Sequence, residues 1–501
     1  MGKSKIHNLP FYLLLWIVCF VFLFIFFSQV HQIGIFDADD WTYISYARDA
    51  LPNAKAWNPT RVFPEIFMPA VGALAAFVIT PLTGDYLNAM TLTYAFTFSA
   101  FISFYVLSFA WMIKHSFCIG KWSTTMLTLL FVTAHFWIFR SNYDNNSYLF
   151  LSRNLTCIFY YTIPTLLNAM LVILFEAKPN IWNTASLGTK GILLFTIYLA
   201  IYSNLFSSIV LVAYCGVIIL HRVLLAAIQK KSIVCFWARI KQNFIHIGII
   251  VAWLVSLIFE IKGGRADSIG TFGGIAELKS AAHNLIASFK SINPIFGLFA
   301  IITIGIALGI ILYEIVHKKA TDETFRFIAI EFHFLLAAAI TALYQVLLCG
   351  VTSLSGYLAC SEVQISIYFF LLMSLFFSVC YTVRRLPTCS AFLPMLLCIA
   401  IFNCNTQGKT YRDSFMSNVS AKTSQAITQD IYHQVLNADN GRTEEMNLYV
   451  PSFQSTTDNW PMAVYLGERV SRTLYKHGQI STPIQITIVP DPERNKLFGI
   501  N

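Results

Sequence analysis

Three carboxylates stand within four positions in the run Ile35-Phe36-Asp37-Ala38-Asp39-Asp40-Trp41. Packed that closely they repel one another, so one of them is expected to hold a raised pKa or to share a cation, and such a group suits general base work. The plainer reading is a helix cap, where the dipole favours negative charge by about 0.3–1 kcal/mol per residue. A cap needs one or two of Asp37, Asp39 and Asp40, not all three. The following WTYISYARDAL puts Trp41, Ile44 and Leu51 on one side. It reads as a helix lying in a membrane interface, which would hold the acids at the lipid surface.

Cations form the second group. Arg61, Arg140, Arg153, Lys262, Arg265, Lys279 and Lys290 all fall in loops on the same side of the membrane as the acids, by the span count below. A lipid-linked phosphate needs such partners, although any one of them singly reads equally as a headgroup-facing charge. Arg140 and Arg153 flank the polar run SNYDNNSYLF, ahead of FYYTIP, and Lys262-Gly-Gly-Arg265 is a Gly-rich turn whose amides could also face an anion. Arg140 and Arg265 are therefore the first candidates for a phosphate, with Arg61 and Lys262 behind them. Glu260 and Glu362 read as partners for these cations or second acids, or equally as acids that simply snorkel to the interface. Trp460, before Pro461, reads as a sugar-stacking platform or as a packing staple at a helix start. Glu331 and His333 are two apart, do not share a helix face and make no metal pair. No GxxxxGK[ST], HExxH, CxxC or GxSxG occurs in the chain, so ATP-driven transport, zinc proteolysis and serine hydrolysis have no motif behind them.

The elements that must position these residues are membrane helices. Of 501 residues, 56% are hydrophobic, only 12% are charged and 44 are Phe, with a mean hydropathy of +0.63. A soluble chain carries roughly 25% charged residues, so the composition specifies an all-α polytopic membrane protein and excludes cytosolic enzymes and nucleic-acid binders. Continuous rather than alternating apolar runs exclude a β-barrel. The formal charge of +9 is the excess that cytoplasmic loops carry. Residues 9–30 are too long for a signal core and lack a cleavage site, so they read as the first span. Further spans fall at about 87–113, 122–139, 156–176, 243–261, 293–316, 327–350, 364–383 and 389–405. Residues 66–82 are short and bracketed by prolines, and 191–220 is one long span or a hairpin broken at Ser203-Asn204. Only with 66–82 half-embedded and 191–220 a hairpin do Lys114, Lys121, Lys178, Lys190, Arg222, Lys318, Lys319, Arg326, Arg384 and Arg385 all gather inside. That makes eleven crossings, N-terminus in and C-terminus out.

The transmembrane domain is thus expected over 1–405, its outer loop 31–86 carrying interface helices and the half-embedded segment. Residues 406–501 carry nine basic and nine acidic residues and read as a small soluble α/β domain: a helix at 417–437, a strand NLYVPSF, a helix at 461–477 and a strand PIQITIV. Eleven cysteines, none after Cys404, read as packing residues rather than a disulfide framework.

An acidic pair, Asp39 and Asp40, just after the first span, Arg61 and Pro64 opening a half-embedded segment, many further spans and a soluble outer tail of about 95 residues together resemble the integral-membrane C-type glycosyltransferases. The layout is most similar to the serotype-converting O-antigen glucosyltransferases carried by temperate bacteriophages of Gram-negative hosts. The resemblance implies an inverting transfer of glucose from undecaprenyl-phosphate-glucose to a sugar of lipopolysaccharide O-antigen, at the periplasmic face of the bacterial inner membrane. It implies membrane lipids and no nucleic acid as the other partners. In that chemistry Asp39 or Asp40 is the base, and the other binds the acceptor or a divalent cation. Arg140, Arg265, Arg61 and Lys262 would hold the donor phosphate, with Asp37, Glu362 and Trp460 on the acceptor side. A polysaccharide polymerase and a lipid-linked-sugar flippase are the rival classes. No internal repeat and no midspan ionisable residue supports the flippase.

Overall fold

The computed structural model describes residues 9–49, 51, 58–140, 147–228, 243–262, 273–404, 419–452, 460 and 463–500. In chain order its helices are α1 (Leu9–Val30), α2 (Ala38–Tyr43), α3 (Val62–Thr83), α4 (Tyr86–Phe117), α5 (Lys121–Trp137), α6 (Leu155–Ala177), α7 (Leu187–Ile201) and α8 (Leu205–Ile228). They continue as α9 (Phe244–Lys262), α10 (Gly274–Lys290), α11 (Pro294–Val316), α12 (Asp322–Val351), α13 (Ser361–Arg385) and α14 (Pro387–Cys404). Ten of these are long and apolar enough to cross a membrane, among them α3. The expected all-α polytopic bundle is what the chain forms.

Side-chain contacts sort the helix ends onto two faces. On one face, Lys114 lies over the Phe11 ring at 4.8 Å, Lys178 over Trp111 at 5.1 Å, and Arg384 meets Glu323 at 3.4 Å. On the other, which we term the head face, Gly34 bridges to Asn154, Phe139 to Ile292, and Arg61 pairs with Glu260. Helix α3 begins and ends toward the head face: the Phe63 amide donates to the Tyr202 carbonyl at 3.3 Å, and Tyr86, just past its end, bonds to His477 at 2.8 Å. It folds back along the first half of α4, with Tyr94 Oη donating to the Met68 carbonyl at 2.8 Å. It runs so close to the Ile44 carbonyl that position 72 has no room for a β-carbon, and glycine stands there. By length α3 would span, but it does not reach the basic face. The other nine long helices are candidate spans as well, and α5 and α7 are shorter, at 17 and 15 residues. The break between α7 and α8 falls at Ser203-Asn204, where Asn204 Oδ1 accepts the Phe206 amide at 2.7 Å and starts the second helix. Helix α13 is enclosed on all sides while α14 lies at the periphery. In lipid such packing, not water exclusion, holds helices together. Phe109, stacked on Phe131 at 4.0 Å with Phe376 against both, illustrates it.

The tail forms α15 (Ala421–Asn440), β1 (Glu445–Pro451), α16 (Ala463–Lys476), β2 (Gln485–Asp491) and α17 (Pro492–Phe498). The two strands pair in parallel from Glu445↔Gln485 to Pro451↔Asp491, joined through α16. A β-carbon at Gly467 would sit 2.6 Å from the Ile486 carbonyl oxygen, so glycine sets the helix-to-strand distance. The domain boundary expected at 405/406 lies outside the described residues.

This domain docks on the head face. Trp460 packs edge-on to Phe36 at 5.5 Å, Thr428 Oγ1 donates to the Ile35 carbonyl at 3.1 Å, and Ser45 Oγ meets Thr473 Oγ1 at 2.7 Å. Arg153 Nη1 donates to Ser424 Oγ, and Arg153 is buried beneath the domain. The interface helix expected over WTYISYARDAL is corrected here. Helix α2 ends at Tyr43, and Trp41 and Ile44 are buried in protein contacts, with Thr473 Oγ1 donating to the Trp41 carbonyl. Apolar spacing cannot tell lipid from a covering domain.

Candidate functional site

The acidic run divides into unlike roles. Asp37 caps α2, accepting the Asp40 amide at 2.9 Å through Oδ1 and the Asn154 side chain at 3.1 Å through Oδ2. Asp40 completes the capping box and is fully buried. Its Oδ2 accepts the Phe36 amide at 2.8 Å and the Asp37 amide at 3.4 Å, and its Oδ1 accepts the Thr156 amide at 2.6 Å and Thr156 Oγ1 at 2.7 Å. Burial pushes its carboxyl up to about 6 against the pull of these donors toward the ionised form. With every lone pair used and no route to a ligand, Asp40 does not fit the base expected of it. It pins α2 to the start of α6.

Asp39 points the other way. Its side chain is 35% exposed, and Arg469 of α16 donates to its Oδ1 at 2.5 Å. Among the described residues its Oδ2 accepts no hydrogen bond. A cleft of about 720 Å3 lies in front of it, lined also by Asp37, Tyr43, Asn154, Tyr160 and Glu362. Tyr160 Oη is buried without a hydrogen-bond partner and lies within electrostatic reach of Asp39, Arg61 and Glu65. Glu362, in the first turn of α13, is buried on the far wall and accepts from Ser361 Oγ at 3.2 Å.

A second cleft, of about 1010 Å3, runs between the head-face ends of α8, α9 and α12, lined by Leu205, Phe206, Leu257, Ile261, Leu348 and Val351. It shares Tyr161 and Tyr357 with the Asp39 cleft. Arg61 and Glu260 stand in its wall, paired at 3.5 Å. Arg61 is held in the left-handed region at φ 56°, a conformation a non-glycine residue adopts only under constraint. Beside it Arg48 pairs with Glu65 at 3.2 Å.

Of the expected cations, the geometry thus brings Arg61 to the site. Arg140 is exposed at the end of α5, its amide donating to the Ser291 carbonyl at 2.8 Å, and it lines neither cleft. Lys262 is exposed at the end of α9 and lines neither. Arg265 lies outside the described residues. Trp460, 1% exposed and packed on Phe36, has no face left for a sugar. His333 pairs with Glu176 at 3.0 Å and His221 at 2.7 Å, and Tyr214 donates to Glu176 at 2.9 Å. That puts an ionisable chain inside the bundle that sequence reading missed. Arg469 and Tyr160 were missed as well. Nothing local marks an arginine on a soluble helix, and Tyr160 stood only in the aromatic run FYYTIP. Among the described residues no group of three or more His, Cys, Asp or Glu could hold a metal ion. Comparisons with protein-family models, curated proteins and solved structures found no match.

Proposed function

We propose that this chain is an inverting membrane glycosyltransferase that moves a glucosyl residue from undecaprenyl-phosphate-glucose to a hydroxyl of O-antigen, at the periplasmic face of a bacterial inner membrane. One observation carries the reading: an acid cleft and an apolar cleft meet at Tyr161 and Tyr357, with Arg61 in the wall of the apolar one. An isoprenoid tail suits the apolar cleft, and its phosphate would replace Glu260 as the partner of Arg61. The sugar would then project toward Asp39. The acceptor hydroxyl attacks the anomeric carbon, Oδ2 of Asp39 takes its proton, and the phosphate leaves with the electrons of the broken C–O bond. A phosphodiester leaves without a strong acid, so one carboxylate suffices, unlike the paired acids of glycosidases. The basic loops gather on the opposite face, which the positive-inside bias assigns to the cytoplasm.

The test is a membrane preparation given polyprenyl-phosphate-glucose and O-antigen acceptor, with and without a chelator. Transfer by the wild type and its loss in Asp39→Asn are expected. No transfer under any condition would remove the reading. A flippase is the second reading, favoured by the buried Glu176–His333–His221 chain, since coupled transporters bury ionisable groups within the bundle. Donor movement across proteoliposomes, abolished in His333→Leu, would establish it instead.

A further inference from the structure

A third cleft, of about 600 Å3, opens on the head face beside the Asp39 cleft. Its walls are the end of α5 at Phe139, the side of α10 at Asn284, Ala287, Ser288 and Ser291, and Ser361 and Gln364 at the start of α13. Residues 359–363 are the partition between the two clefts: Ala359 and Ser361 face this one, while Cys360, Glu362 and Val363 face the Asp39 cleft.

The hydrogen-bonding capacity left open here is specific. Gln364 is 4% exposed, and its Nε2 donates to the Leu358 carbonyl at 2.7 Å, which fixes the amide orientation. Its Oε1 accepts no bond among the described residues and is not sealed from the cleft, unlike Oε1 of Gln345, which is buried and unpartnered. Asn284 repeats the arrangement: Nδ2 donates to the Ser355 carbonyl at 2.8 Å and Oδ1 is left open. The nearby hydroxyls are already engaged, Ser288 with Tyr368 at 2.8 Å and Ser291 with the Ser288 carbonyl at 2.6 Å. Among the described residues no charged side chain lines the cleft. Two fixed amide oxygens in an uncharged cleft call for a ligand that donates hydrogen bonds and carries no charge, and sugar hydroxyls do both.

We propose that this cleft is a subsite for a neutral saccharide, holding a second sugar of a glycan whose neighbouring residue lies at Asp39; the assignment to an acceptor rests on the transferase reading above. A buried acceptor atom left without a donor is costly, so the site would discriminate by hydroxyl position rather than by charge.

The experiment is saturation-transfer NMR on the full chain in nanodiscs, with polysaccharide released from smooth lipopolysaccharide as the probe and glycerol-3-phosphate as the headgroup control. Transfer to sugar ring protons is expected for the wild type and for Asp39→Asn, with none to glycerol-3-phosphate. Gln364→Met should weaken binding about tenfold, the worth of one lost hydrogen bond. Because Gln364 also braces the 358–364 turn, Ala287→Trp provides a second variant that fills the cleft without touching that brace, and it should abolish the signal. Wild-type binding by Ala287→Trp, or no signal from the wild type, overturns the subsite. Sugar binding without glucosyl transfer would remove the transferase reading and leave the subsite standing. Transfer with unchanged acceptor dependence in both variants would do the reverse.

Discussion

Asp39 and Asp40 are adjacent and chemically identical, and their surroundings give them opposite work. Asp39 keeps one oxygen open to a cleft, so Asp39→Asn is expected to lower glucosyl transfer by about 10²–10⁴-fold with unchanged expression. Full turnover in that variant would remove it as the base. Asp40 belongs to folding. Burial raises its carboxyl from 3.8 to about 6 against the pull of its four donors. The stability linked to that raised value is fully present below 3.8 and lost as pH rises through about 6. Thermal unfolding followed from pH 4 to 8 should therefore show the wild type losing ground to Asp40→Asn across that window; parallel curves would refute it. Arg469 holds Asp39 Oδ1 at 2.5 Å. Arg469→Ala should lower kcat about tenfold, and Lys should restore only part of it because an ammonium gives up the guanidinium's contact over the Tyr465 ring at 4.9 Å. Recovery of full kcat in the Lys variant would leave charge alone as the requirement.

At the scale of elements, the site depends on a helix of six residues that could not stand alone. Helix α2 is fixed by its capping box, by Thr156 at the start of α6 and by α16 laid across it. The docking of α16 carries a pH dependence of its own. His477 follows that helix, bonds to Tyr86 at 2.8 Å and is buried, and burial pushes its ring down to about 4. A lowered histidine contributes stability that is present above its ordinary value of 6.5 and lost as pH falls through about 4. Hydrogen exchange in α16 should accordingly quicken as pH is lowered from 6.5 to 4, after correction for the intrinsic rate, and His477→Gln should remove the change. Equal protection at both ends of that range would place the docking energy elsewhere.

For the whole molecule, sidedness matters: the tail domain docks on the head face, opposite the helix ends that carry Lys114, Lys178 and Arg384. A phosphatase fused after Asn501 should be active and one fused at Lys230 silent; silence at the C-terminus would put the whole site on the wrong side for a periplasmic acceptor. The arrangement also explains why the bundle needs its soluble domain. Arg469 comes from the tail, Arg61 from the N-cap of α3, Glu362 from α13 and Asp39 from the first turn of α2, so separated halves would lack a complete site.

The sequence by itself determined the class of protein, the span positions, the break at Ser203-Asn204 and the alternation of helix and strand in the tail. The class, the spans and the alternation follow from hydropathy and turn chemistry, which act over a few neighbouring residues, and the positive-inside charge count selects the break over one long span. It also marked the Asp37–Asp40 run and Arg61. Only the tertiary structure decided which of those acids is free, because four donors brought from loop and helix α6 saturate Asp40 and leave Asp39 open. It likewise decided that Arg469 rather than a loop cation meets Asp39, and that Trp460 is buried against Phe36. It set both ends of α3, long enough to span, against head-face residues, since length fixes what a helix can cross and its packing partners fix where it goes.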